Sequence, residues 1–146
     1  MELVPVGEEG TISREMLTVA ARFDRVARAA RRDADIRFVM SLPGARFFLV
    51  RRGRETLGYA VVSKKGRVGP AFVVDPRYGA GLAWATKEAA REMGAENVTV
   101  IVPGVNSGAL DEFFRAGLRT TFFGAWMSAK PLGSFESYLL AGGMLL

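Results

Sequence analysis

The chain has 146 residues, 49% of them hydrophobic, enough for one well-buried core and too few for two ordinary domains, so a single domain over 1–146 is expected. It contains no cysteine and no histidine, which excludes disulfides, thiolate nucleophiles, Ser-His-Asp triads and zinc sites built on sulfur or imidazole, leaving an oxygen-ligand magnesium site open. With 20 basic against 15 acidic residues the formal charge is +5, a balance that draws polyphosphate ligands, acidic proteins or nucleic acid. No apolar run reaches about 18 residues, and Met1-Glu2-Leu3-Val4 lacks the basic region and apolar core of a signal peptide. No membrane association and a cytoplasmic location are expected.

In chain order, Glu2 to Val6 is short and extended, and Ser13 offers an N-cap before an amphipathic run to about Arg32. Within that run Phe23, Val26, Ala27 and Ala30 recur at helical spacing between Arg22, Arg25, Arg28, Arg31 and Arg32. This reads as a helix with a solvated arginine face. Aromatic residues are not interleaved on the basic face, so a nucleic-acid surface is the less favoured alternative. A second helical piece spans Asp35 to Leu42, and Pro43-Gly44 breaks the pattern. Arg46 to Arg51, Thr56 to Ser63 and Arg67 to Val74 then read as an antiparallel meander with turns at Arg52-Gly53 and Lys65-Gly66. Pro70 cannot donate to a ladder, so Gly69-Pro70 predicts a bulge or an unpaired edge that leaves backbone groups free for a ligand.

Asp75-Pro76-Arg77-Tyr78-Gly79-Ala80-Gly81 follows as a loop, and Leu82, Ala85, Ala89 and Met93 mark one face of a helix closed by Gly94. A strand, a glycine-containing loop and a helix N-terminus together suit a phosphate, because unpaired N–H groups converge there and the helix dipole favours negative charge. A tight turn with no ligand is the competing reading. Asn97 to Val102 reads as a buried strand, and Asn106 or Ser107 caps a helix through Ala116 that Gly117 ends. Arg119 to Met127 and Phe135 to Ala141 are the last two expected strands. The fold class is thus α/β (α+β mixed), in the order β-α-α-β-β-β-α-β-α-β-β, with helices on both faces of a mixed sheet.

This order, the Gly-Pro strand entering the Arg-x-Gly-x-Gly loop, and the segment Val-Pro-Gly-Val-Asn-Ser-Gly-Ala…Arg-Ala-Gly-Leu resemble the GCN5-related N-acetyltransferases (GNAT) over nearly the whole chain. The resemblance implies a strand that splays from its neighbour and binds the pantetheine arm of acetyl-CoA through its backbone at Ala71, Phe72, Val73 and Val74. It implies a pyrophosphate held by the loop and helix start at Arg77, Tyr78, Gly79, Ala80, Gly81 and Leu82. Asn106, Ala109 and Gly117-Leu118 fall where the family has Asn, Ala and Gly-Phe, and the resemblance implies a cofactor contact for Asn106. The loop is one residue shorter than the family's, and Phe113 stands where the family frequently has a tyrosine general acid. The overall pattern is similar to the degenerate carboxy-terminal domains of tandem members, in which the phosphate loop is also eroded.

The function this implies is transfer of an acyl group from acetyl-CoA to a small amine or a protein amine by direct attack. Backbone amides would polarise the thioester carbonyl, and a thiol leaving group with a pKa of roughly 8 to 9 tolerates loss of its acid. Candidate proton carriers are Tyr138 and Glu136 on the last strand and Tyr59 on the central hairpin. Each has a structural alternative: half-buried strand tyrosines, a solvated glutamate, and for Asn106 a helix cap and nothing more. Trp84 and Trp126 read as core or interface anchors. A non-catalytic GNAT-like ligand-sensing or protein-interaction domain is the first rival function, and a basic nucleic-acid module is the second. The apolar end from Leu139 to Leu146 suggests packing on the domain or in a homodimer.

Overall fold

A computed structural model describes residues 1–125 and 133–141. Its elements are β1 (Glu2–Val6), α1 (Arg14–Arg28), α2 (Asp33–Met40), β2 (Ala45–Arg52), β3 (Glu55–Ser63), β4 (Arg67–Val73), a 3-10 turn (Pro76–Tyr78), α3 (Gly79–Glu92), β5 (Thr99–Val100), α4 (Ser107–Arg115) and β6 (Tyr138–Leu139). The six strands form one mixed sheet in the order β1-β2-β3-β4-β5, with β6 also paired to β4. Strands β1 to β4 are antiparallel, whereas β4 and β5 run parallel.

Period-two alternation divides the core. Phe47, Leu49, Tyr59, Val61, Phe72 and Tyr138 face α1 and α2, and Phe48, Val50, Ala60, Val62, Ala71, Val73 and Leu139 face α3 and α4. Met16, Ala20, Phe23 and Ala27 put a buried stripe of α1 on the first layer. Each fully buried large side chain there contributes about 1.5–3 kcal/mol. Ser13 caps α1, its hydroxyl accepting from the Met16 N–H at 3.2 Å.

The meander forms as expected, with positive φ at Gly53 and Gly66 in its turns. Gly69-Pro70 makes the expected bulge: Val61 alone stands between the pairs Ala60–Ala71 and Val62–Val68. Other boundaries differ. Helix α1 stops at Arg28, where Ala29 takes a left-handed conformation, so Arg31 and Arg32 lie outside it. Helix α3 begins at Gly79, which moves Gly79, Ala80 and Gly81 from a loop into a first helical turn. Residues 119–125 form no strand, since nothing pairs with them among the described residues; Trp126 and Met127, the rest of that expected strand, lie outside the described residues. No helix among the described residues is long and apolar enough to cross a membrane.

Candidate functional site

Asp24 falls on the buried stripe of α1, one helical turn beyond Ala20, and is fully buried. Tyr59, projecting from β3 on the same face, donates its hydroxyl to Asp24 Oδ1 at 2.6 Å. Tyr138 of β6 brings a second hydroxyl to 3.4 Å from the first. Arg32, buried in the link between α1 and α2, donates Nη1 to the Tyr138 hydroxyl at 2.8 Å and Nε to Asp35 Oδ2 at 2.7 Å. The Arg28 guanidinium sits 5.0 Å from the centre of the Phe135 ring and 5.8 Å from that of Tyr138.

Burial sets the electrostatics of this cluster. It raises the Asp24 carboxyl above its ordinary 3.8, against the opposing pull of the Tyr59 hydrogen bond and of Arg32 and Arg28. It also pushes the Tyr59 hydroxyl well above 10, raises that of Tyr138 and lowers the Arg28 guanidinium. Asp24 Oδ2 and Arg28 Nη1 are buried without a hydrogen-bond partner among the described residues. Such atoms are costly to bury, about 1–3 kcal/mol each and more when charged. The arrangement can pass a proton between Asp24 and Tyr138 through Tyr59, and beside that path one carboxylate oxygen of Asp24 and one nitrogen of Arg28 lack a hydrogen bond among the described residues.

The expected ligand groove lies along the far edge of β4. There β4 pairs with β5 only at Arg67–Thr99 and Val68–Val100 and then parts from it. Into the gap runs β6, whose Leu139 and Tyr138 pair antiparallel with Ala71 and Phe72. The Val73 N–H donates to Ser137 O at 3.2 Å, the Val74 N–H to Leu57 O at 2.9 Å, and the Leu140 N–H to Ile101 O at 2.9 Å. The backbone groups expected to be free near Phe72 to Val74 are therefore used within the protein. Gly69 is needed here for close approach, since a Cβ on it would collide with the Leu140 carbonyl.

Asn106 does cap α4, its Oδ1 accepting from the Ala109 N–H at 3.2 Å, and its Nδ2 donates to Tyr138 O at 3.1 Å, so one side chain holds β6 in the gap. It also presses on Gly79, where a Cβ would stand 2.7 Å from Asn106 Oδ1. Gly108 packs on Ala80 at the start of α3, and Gly81 meets the Met1 side chain. Arg77 is turned to Asp75, with Nη2–Oδ2 at 2.6 Å, and Tyr78 accepts from Arg52 at 2.7 Å. Leu82 is buried in the second core layer.

The chain matches no family model, no curated protein and no solved structure. Of the three candidate proton carriers, Tyr59 and Tyr138 come together, while Glu136 is exposed and joins no cluster among the described residues. Among the described residues no group of three or more carboxylates is placed to hold a metal ion. Asp24, Arg28 and Arg32 were missed as parts of the site. The available signal was an acid on the apolar stripe of an amphipathic helix: Asp24 shares its face with Ala20 and Ala27. For Arg28 and Arg32 the solvated-face reading failed, because the chain turns at Ala29 and carries Arg32 under the sheet, where it is 8% exposed.

Proposed function

We propose that this chain is a GNAT-like domain that closes its acyl-CoA cleft with its own last strand and works as a ligand-sensing or protein-interaction domain instead of an acyltransferase. One observation carries the reading: Tyr138 and Leu139 occupy the edge of β4 at Ala71 and Phe72, where the resemblance puts the pantetheine arm. Asn106, in the position that the resemblance gives to a cofactor contact, grips the Tyr138 carbonyl. The packing of Gly108 against Ala80 and the Arg77–Asp75 pair also favour a filled site over an open phosphate cradle. The test is incubation with acetyl-CoA, CoA and a panel of amines, followed by thermal unfolding and by release of free thiol. A ligand bound only by the native state raises the melting temperature by mass action. No shift and no thiol above background are expected; a saturable shift with amine-dependent thiol release overturns the proposal.

The acyltransferase reading is favoured by the hydrogen-bonded path from Asp24 through Tyr59 to Tyr138. In that reaction the amine nitrogen attacks the thioester carbonyl, the C–S bond breaks, the thiolate takes a proton, and the ammonium loses one. A carboxyl with a raised pKa and two buried phenols suit proton movement of this kind. The reading requires β6 to leave the gap, taking Tyr138 with it, and this makes it the second choice.

A further inference from the structure

A depression of about 470 Å³ opens between the start of α1 and the start of α2. It is lined by Ile12, Leu17 and Thr18 and by three guanidiniums, those of Arg14, Arg31 and Arg37. Its size falls within the range of small-molecule sites, about 300–1,000 Å³. Asp33 is its one carboxylate, and that group is already taken: Arg31 donates Nη2 to Asp33 Oδ2 at 2.5 Å and Nε to Oδ1 at 3.3 Å. The guanidiniums of Arg14 and Arg37 make no hydrogen bond or ion pair among the described residues. The helix start takes no part in the argument, since Ser13 already caps it.

We infer that this depression is a binding site for a small phosphate monoester, with the dianion between Arg14 and Arg37 and the ester group against Ile12 and Leu17. Three cations against one carboxylate leave a formal surplus of two charges, which matches a phosphate monoester dianion. Guanidinium is the side chain best shaped for such a group, offering paired N–H donors to two oxygens. The Asp33 carboxyl is held below its ordinary pKa first by the Arg31 hydrogen bond, with Arg37 and Arg25 adding to it at longer range. Half-buried Ile12 and the edge of the buried Leu17 give an otherwise polar lining one small apolar patch, on which an ester group can rest and free phosphate cannot. This site is independent of whether β6 fills the cleft.

The test is titration of the full chain with phenyl phosphate, AMP, inorganic phosphate and adenosine, followed by amide chemical shifts. Saturable shifts confined to residues 12–18 and 31–37 are expected, with the two esters tighter than inorganic phosphate and adenosine silent. Arg14→Gln/Arg37→Gln removes two exposed, unpartnered guanidiniums, so its melting temperature stays that of the wild type while ester affinity falls about tenfold or more. Arg54→Gln/Arg67→Gln removes the same charge elsewhere and leaves affinity unchanged. No saturable shift, equal losses in the two double variants, or inorganic phosphate binding as tightly as the esters would each overturn the inference. Shifts centred on 71–82 would place the ester in the cleft and overturn the inference as well.

Discussion

The phenolic oxygens of Tyr59 and Tyr138 lie 3.4 Å apart although 79 positions separate the two residues in the chain. Asp24 binds the first and Arg32 the second, so a carboxylate and a guanidinium are linked through two phenols in the middle of an apolar layer. A buried polar set of this kind is costly unless every member is satisfied. Here Asp24 Oδ2 and Arg28 Nη1 are not, among the described residues.

The pH dependence of stability follows from Asp24. Its carboxyl pKa is raised in the folded chain, so between the ordinary value of 3.8 and the folded value the native state binds more protons than the unfolded one. Stability from this group therefore falls as pH rises through that window, the reverse of a salt-bridged aspartate. Wild-type stability measured against that of Asp24→Asn should increase as the pH is taken down toward 4 in denaturant titrations. A constant difference would show that Asp24 is not destabilised by burial.

Tyr59→Phe removes the donor to Asp24 Oδ1 and leaves a second carboxylate oxygen unpaired in the core. A loss of about 1–3 kcal/mol is expected from chemical unfolding. Tyr138→Phe removes the hydroxyl that accepts from Arg32 Nη1 and contacts the Tyr59 hydroxyl, and a loss of stability in the same direction is expected. Because the two hydroxyls are neighbours, the double variant should lose less or more than the sum; additivity within about 0.5 kcal/mol would mean that they do not interact.

Asn106→Ala removes a helix cap and the tie to β6 in one step. The cap alone is worth about 1 kcal/mol, and the unpaired Tyr138 carbonyl adds to the loss. Hydrogen exchange distinguishes the two roles. The Val73 and Leu140 amides, protected by pairing around β6, should exchange faster in the variant, whereas a pure capping role would speed only the first turn of α4.

Gly69→Ala tests the seating of β6 from the other side. The residue has φ 113°, outside the range that alanine adopts easily, and its Cβ would collide with the Leu140 carbonyl. We expect a clear loss of stability together with faster exchange at Val73. Wild-type behaviour would show that β6 does not lie against β4.

Local chemistry was legible in the amino-acid order. Alternation in 46–51 and 56–63, the glycines of the two turns and the missing N–H of Pro70 specify a meander with a bulge, because each is a constraint on a few adjacent residues. Ser13 and Asn106 were readable as caps for the same reason. The expected strand over 119–125 shows the limit of such reasoning. Its residues have strand propensity, but a strand exists only where another lends it a partner, and Phe122 and Phe123 stand 80% and 87% exposed.

By itself, then, the order of residues determined the mixed α/β class, the meander, the helix caps and the absence of sulfur and imidazole chemistry. Tertiary structure alone decided that the last strand enters the gap beside β4, that Asn106 holds it there, and that Asp24, Arg28 and Arg32 gather around two tyrosines. The physical reason is range. Hydrogen-bond periodicity and backbone freedom act between neighbours in sequence, whereas the pairing of Ala71 with Leu139 or of Tyr59 with Tyr138 depends on how two layers of side chains pack across the same sheet.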